Sequence, residues 1–352
     1  MKYIPLGRSG LKVSEICLGT MTFGEEFGIG APESVCREIY AAYRDAGGNF
    51  IDTADIYNAG TSERLLGTFI AGERESIVLA SKYGMNTRTD DPNAGGNQRK
   101  NLVQSLNASL KRLGTEYIDL FWVHAWDGNT ELREVMRALD DQVRNGKILH
   151  IGISNAPAWA ISAANTLAEE RGWTPFTAMQ LHYNLVERSI EGEYFTLANV
   201  QNMAITPWSP LAGGLLTGKF NRNQDPAAQQ GTRLADSPRR AQLLVDRNLE
   251  VAEKLVEFAQ EMSCSPAQLS LAWMMRRTAT CVVPIIGARK LEQLQDNLGA
   301  AQIELTPAQI ATLDELTAPD PSYPQTLYAS DFFRTLMYGK AWHKLELDRP
   351  WQ

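Results

Sequence analysis

Eight short apolar runs, each about the length of a β-strand, recur along this chain, and most are followed by a segment with helical spacing. The runs are ICLGT (16–20), NFIDT (49–53), SIVLASK (76–82), YIDLFWVH (117–124), KILHIGIS (147–154), AMQLHY (178–183), MAITPWS (203–209) and CVVPIIG (281–287). Between them, residues 33–46 place Val35, Ile39 and Ala42–Tyr43 on one face. In 98–113, Leu102, Leu106, Leu110 and Leu113 recur at steps of four, four and three, and 248–261 repeats the pattern with Leu249, Ala252, Leu255, Val256 and Ala259. Ser62-Glu63-Arg64 and Ser265-Pro266 predict helix starts. Residues 3–16 read as two extended pieces around Arg8-Ser9-Gly10, a small hairpin.

Strands alternating with helices specify a parallel sheet with crossover connections. A doubly wound sheet usually carries a Gly-rich phosphate loop after an early strand. No G-x-G-x-x-G occurs; the nearest approach, Gly28-Ile29-Gly30, has Glu33 where the third glycine belongs. A (β/α)8 TIM barrel needs about 250 residues, and the 352 present leave room for insertions. The expectation is one barrel domain over 1–352: an N-terminal hairpin (1–16), the barrel (17–317) and a C-terminal extension (318–352). The polar stretch 221–247 reads as a long loop on it.

The net charge of −7 argues against a nucleic-acid surface or a polybasic membrane footprint. No apolar run approaches the ~18 residues of a membrane span. The four cysteines (Cys17, Cys36, Cys264 and Cys281) form no C-x-x-C pair, and MKYIPLGRSG lacks an apolar leader core. A reduced, cytoplasmic protein is the default expectation.

Reacting groups in such a barrel come from the C-terminal ends of strands. The second strand ends in Asp52, with Tyr57 in the loop beyond; the third ends in Lys82 and the fourth in His124. Singly, each has a bland reading as a cap, a packed aromatic, a solvated strand end or a hydrogen-bonded rim residue. Together they bring a carboxylate, a phenol, an ammonium and an imidazole to one rim. A phenol with a pKa near ~10 is a poor acid at neutral pH, and an adjacent ammonium lowers that value. Asp52 would hold Lys82 charged, and His124 would orient a substrate oxygen. The set suits proton delivery to a carbonyl oxygen as hydride reaches the carbon. No side chain supplies hydride, so a nicotinamide cofactor is required.

The sequence resembles the aldo-keto reductase family over about residues 1–317. The matching stretches are NFIDTADIYN (49–58), SERLLG (62–67), LASKYG (79–84), IDLFWVH (118–124), GKILHIGISN (146–155), MQLHYN (179–184), PWSPLAGGLLTGK (207–219) and PIIGAR (284–289). The resemblance implies the (β/α)8 barrel, NADPH as cofactor, and Asp52, Tyr57, Lys82 and His124 as the catalytic set, with Tyr57 the general acid. It places the nicotinamide carboxamide near Ser154, Asn155 and Gln180. It puts a stacking ring at Trp208, where many members carry tyrosine. The stretch 209–219, with Ser209, Leu211, Gly213 and Lys219, would follow the pyrophosphate. Gly19, Thr20, Gly287 and Ala288 complete the implied cofactor contacts. A helix expected to begin near Lys290 carries Arg289, Gln293 and Asn297 along one face. Alone that face reads as solvated; with the resemblance, Arg289 becomes the partner of the adenosine 2′-phosphate.

Other residues are weighed and set aside. His150, His182 and His343 belong to no H-x-H or H-E-x-x-H pattern, so no metal site is expected. Trp122 and three of the cysteines, Cys17, Cys36 and Cys281, read as core. Phe23 and Trp126 lie just beyond strands and would wall a substrate pocket with Trp208, favouring an apolar or aromatic body. The tail carries Phe332, Phe333, Leu336 and Met337 at helical spacing and is expected to pack on the barrel or, second, to cover its mouth. The expected function is NADPH-dependent reduction of aldehydes or ketones, acting on a small carbonyl compound. Two rivals stay open: a cofactor-binding regulatory subunit, as with potassium-channel β subunits in the same family, and a cofactor-free barrel hydrolase or isomerase. The sequence leaves a homo-oligomer open.

Overall fold

The computed structural model describes residues 1–222, 234, 241–276, 281–320 and 323–346. An antiparallel hairpin of β1 (Tyr3–Pro5) and β2 (Lys12–Ser14) opens the chain, with Tyr3 opposite Ser14. Eight parallel strands follow: β3 (Cys17–Gly19), β4 (Phe50–Asp52), β5 (Val78–Tyr83), β6 (Ile118–Val123), β7 (Ile148–Ser154), β8 (Phe176–Gln180), β9 (Ala204–Ile205) and β10 (Ile285–Ile286). Each lies largely within one of the apolar runs. Their order, β10-β3-β4-β5-β6-β7-β8-β9, follows the chain around a ring. The ring is closed between β9 and the segment before β10. The Ile205 N–H donates to the Cys281 carbonyl (2.8 Å), and the Val283 N–H donates to the Ile205 carbonyl (2.9 Å). The architecture is a (β/α)8 barrel.

Period-two alternation along the strands divides the apolar residues into two cores. Phe50, Val78, Ala80, Leu120, Trp122 and Ala178 fill the barrel with Leu6 and Val13 of the hairpin, which plugs one end. Ile51, Leu79, Phe121, Val123, Ile151 and Met179 point outward against the helices. Gly152 is required beside the plug, because a Cβ there would meet the Trp122 ring at 2.3 Å. The helices start where their caps place them. Gln98 accepts from the Asn101 N–H ahead of Arg99–Leu113, and Ser265 forms a capping box with Gln268 ahead of Pro266–Met275.

Two expectations meet limits or corrections here. Most of the 221–247 loop lies outside the described residues; its end is the start of the helix Asp246–Glu261. The tail forms the helices Gln325–Tyr328 and Asp331–Tyr338, but the second buries none of its residues. Phe332, Leu336 and Met337 face solvent, so this helix is not packed on the barrel as the sequence spacing predicts; among the described residues no element covers that face. The described tail meets the barrel at contacts that include Arg247 Nη2, which donates to the Ala318 carbonyl at 2.8 Å, and the Gln325 side-chain amide, which donates to the Gly192 carbonyl at 3.1 Å. Among the described residues, no helix is long and apolar enough to cross a membrane.

Candidate active site

The end of the barrel opposite the hairpin is lined by the same inward-facing parity that builds the plug. In register, Asp52 lies beside Ala80, Lys82 beside Trp122, and Ser154 beside Gln180. Two residues further along each strand the interior changes from apolar to polar, and Asp52, Lys82, His124 and Gln180 converge.

Lys82 sits at the centre and is fully buried. Its Nζ donates to Asp52 Oδ2, to the Thr53 carbonyl (2.9 Å) and to the Tyr57 phenol (3.0 Å). All three ammonium protons thus have acceptors. Gln180 Nε2 donates to the other Asp52 oxygen at 2.9 Å. Asp52 and Lys82 are sealed, whereas Tyr57 and His124 are half-buried and reach the open end. Their rings meet edge to face, 6.0 Å apart. The loop after β4 delivers Tyr57 through a short turn, Tyr57–Gly60, with Asn58 and Ala59 in the left-handed region. Asn58 anchors that turn: its side-chain amide donates to the carbonyls of Met21 (3.0 Å) and Phe23 (2.9 Å).

Burial pulls the Lys82 ammonium down, but the Asp52 carboxylate and Tyr57 outweigh it, and its pKa is raised. Lys82 is therefore charged. Burial raises the Tyr57 pKa; Lys82 opposes this and Asp52 adds to it. The expectation of a net lowering is corrected here: the ammonium pulls as expected, but removal of the phenol from water is the larger effect. Tyr57 is accordingly a protonated phenol. Burial, then the nearby Lys82 charge, lowers the His124 pKa to about 3, so the imidazole is neutral. Its Nδ1 is buried without a partner. A proton there would be a buried orphan donor, which favours the tautomer protonated at Nε2.

Next to this group Asn155, in the left-handed region at φ 49°, ties three elements together. Its Nδ2 donates to the His124 carbonyl (3.0 Å) and to Ser154 Oγ (2.9 Å), and its Oδ1 accepts from Trp208 Nε1 (3.1 Å). Ser154 Oγ donates to the Gln180 carbonyl at 2.8 Å. Trp208 stacks on His182 with centroids 4.1 Å apart and planes 9° apart. Beyond it the loop 209–219 turns repeatedly, with left-handed backbone at Ser209, Ala212, Gly213, Gly214 and Gly218. Leu211 is half-buried and Lys219 exposed. At the other edge, Gly287 is exposed, Ala288 buried and Arg289 half-buried, ahead of the helix Leu291–Leu298. Gln293 Oε1 accepts from the Arg289 N–H at 2.9 Å, and Asn297 is buried. The face expected as a stripe is thus divided into a guanidinium, a cap and a buried amide.

Several sequence expectations are placed differently. Phe23 does not wall a pocket: its N–H donates to the Thr20 carbonyl in a tight turn, and its ring is buried edge-on against Phe69, 6.1 Å away. Thr20 has no exposed surface. Its hydroxyl donates to the Asp52 carbonyl (3.1 Å) and accepts from Ser62 Oγ (2.9 Å), so it ties strand ends together rather than facing a ligand. Gly19 is equally walled in, since a Cβ there would meet Ile285 Cγ2 at 2.7 Å. Trp126 remains at the rim, half-buried, with its N–H directed at the Asn155 carbonyl (3.4 Å). One neighbour was weighed in the sequence only as a metal ligand, and another escaped it. His182 continues the inward parity of 178 and 180, which is the signal that places it under Trp208. Asp55 sits inside the same stretch as Asp52 and Tyr57, but its surroundings come from distant helices. Among the described residues, no three His, Cys, Asp or Glu side chains gather as a metal would need.

Comparison with known proteins agrees with this geometry. The sequence profile of the Aldo/keto reductase family matches residues 15–318. The chain is 33% identical over 345 residues to norsolorinic acid reductase of Aspergillus flavus, covering 94% of this chain and 86% of that protein. It is 36% identical to an uncharacterized oxidoreductase, YrpG, of Bacillus subtilis, covering 90% of this chain and 96% of that one. It is 32% identical to aryl-alcohol dehydrogenase [NADP(+)] of Phanerodontia chrysosporium, covering 95% and 90%. The family acts on small carbonyl substrates, and the activity supported for this chain is that of an oxidoreductase. A (β/α)8 barrel with an Asp–Lys–Tyr chain beneath one open end, matched by that profile over nearly all its length, belongs to the aldo/keto reductase family.

Proposed function

We propose that this protein reduces aldehydes or ketones to alcohols with NADPH, using Tyr57 as general acid. The observation that carries the reading is Lys82 Nζ bridging the Asp52 carboxylate and the Tyr57 phenol. That bridge holds a protonated phenol at the open end with an ammonium behind it, ready to stabilise the phenolate that proton donation leaves. Neutral His124 stands beside it as a hydrogen-bond donor to a carbonyl oxygen. Asp52, fixed by Gln180, keeps the ammonium charged and in place.

The residues present suit a dinucleotide. The Asn155 amide, held by Trp208 on one side and Ser154 on the other, is a fixed polar group for a carboxamide. Trp208, already stacked on His182, offers its indole to a nicotinamide ring. The left-handed residues of 209–219 give the kind of repeatedly turning backbone that suits an anion, and Lys219, Arg289 and Lys290 would supply local positive charge in an acidic chain. Arg289 suits a 2′-phosphate, which favours NADPH. When bound, the cofactor supplies the hydride that no side chain can. Trp126 and Trp208 at the rim favour a substrate with an aromatic body, in keeping with relatives named for norsolorinic acid and aryl alcohols.

The test is a panel of carbonyl compounds, including aromatic aldehydes, aromatic ketones and sugar-derived aldehydes, followed by NADPH absorbance, with a fluorescence titration of NADPH alongside. Turnover, strongest with aromatic members, is the expected result. NADPH bound without turnover across the panel would favour a regulatory subunit. Failure to bind NADPH would overturn the reading.

A further inference from the structure

Asp55 lies between Asp52 and Tyr57 in sequence, yet the Asp52–Lys82–Tyr57 chain makes no use of it. It is 4% exposed, and among the described residues neither of its carboxyl oxygens has a partner at hydrogen-bond geometry. Its N–H donates to the Lys82 carbonyl (3.3 Å), which fixes the residue just beyond β4.

The nearby cations are already engaged. Lys82 is paired with Asp52. Arg112, from the helix Arg99–Leu113, donates Nε to Glu63 Oε2 at 2.6 Å, and Ser81 Oγ donates to Glu63 Oε1 at 2.6 Å. Glu63, from the helix Thr61–Ile70, is itself fully buried. Three carboxyls (Asp52, Asp55, Glu63) thus share two cations (Lys82, Arg112), and Asp55 is the one left over. A buried carboxylate with no ion pair of its own, its one near cation already paired to Glu63, is less stable than the neutral acid.

The groups that act on Asp55 or feel its charge are Tyr57 on its own loop, Glu63 from one helix, and Ser105 and Arg112 from the other. Burial, with the Glu63 charge beside it, raises the Asp55 pKa to about 7, while Ser105 and Arg112 pull the other way. The Asp55 charge in turn reaches Tyr57 and opposes formation of the phenolate.

We propose that Asp55 is the charge regulator of this site: protonated, it lets Tyr57 release its proton, and ionised, it holds that proton on the phenol. It acts through Tyr57 without touching substrate, and the inference rests on the carbonyl-reduction reading. In the reduction the Tyr57 O–H bond breaks and its proton goes to the carbonyl oxygen. The carbonyl carbon receives hydride, two electrons, from the reduced nicotinamide cofactor, and the phenolate keeps the remaining charge. A second buried anion raises the barrier to that phenolate, and a proton on Asp55 removes it. Reduction therefore declines as pH rises through about 7.

Stability follows the same proton. The folded-state pKa lies above the unfolded value of ~3.9, so the native state holds a proton that the unfolded chain releases. The stability linked to Asp55 is complete below the unfolded value and is lost as pH rises to about 7.

Asp55→Asn is isosteric and permanently neutral. The experiment measures kcat/KM for an aromatic aldehyde, and the thermal midpoint, from acid to alkaline pH in wild type and D55N. The expected result is that D55N holds its rate where wild type declines, with a gap of about threefold or more at about pH 8.5. A gap in thermal midpoint in favour of D55N opens at lower pH, between the unfolded value of ~3.9 and about 7, and stays constant above it. Parallel rate profiles with turnover present in both, whether or not the midpoints differ, would overturn the Asp55 proposal alone. Absence of turnover in wild type would overturn the functional reading instead.

Discussion

The two ends of the barrel interior are built on the same strands and differ by two residues along each. At the hairpin end, Phe50, Ala80, Trp122 and Ala178 pack as an apolar plug. Two positions on, the same strands present Asp52, Lys82, His124 and Gln180. The plug is held by shape and exclusion of water. The other end is held by pairing, since Lys82 binds three oxygens and Asp52 is gripped from two sides. The contrast shows how one fold keeps a buried ion pair in place. The plug closes the barrel to water from below, and the pair is left open only where Tyr57 and His124 reach the rim.

Breaking one partner at the polar end is the most severe disturbance of this contrast. Lys82→Met leaves Asp52 buried without its cation, and urea unfolding should show a loss of about 3–5 kcal/mol. A loss below about 1 kcal/mol would mean that the pair is not sealed as described. Arg289→Ala probes how far the polar end extends toward the rim. It should weaken NADPH binding by about 1–3 kcal/mol and NADH much less, read by fluorescence titration; equal losses would remove Arg289 from any role at the 2′-phosphate. The plug should be the forgiving end. Leu120→Met conserves volume there and should cost less than about 1.5 kcal/mol in the same unfolding assay. A cost near that of Lys82→Met would erase the distinction between the two ends.

Much of this arrangement was legible from residue order. Each apolar run overlaps a strand because parallel barrel strands are buried on both faces, and the end of each run marks the rim. That is how Asp52, Lys82 and His124 could be placed together. What escaped depends on chain direction after the strand or on partners from elsewhere. Thr20 and Phe23 follow β3 as candidate rim residues do, yet a turn to the Thr20 carbonyl folds them under the loop. The net rise of the Tyr57 pKa follows from depth of burial, which residue spacing does not convey. Asp55 looks like an ordinary loop aspartate until Glu63 and Arg112 arrive from two helices. The tail has helical spacing that predicts packing, but spacing alone does not bring a second surface to it.

The most direct test of the account is Tyr57→Phe, which deletes the phenolic oxygen and keeps the ring. Carbonyl reduction should fall by about 10²–10⁴-fold, the range of a lost general acid, while NADPH fluorescence titration gives an affinity close to wild type. Near-normal turnover by Y57F would contradict the central claim that the phenol held by Lys82 delivers the proton.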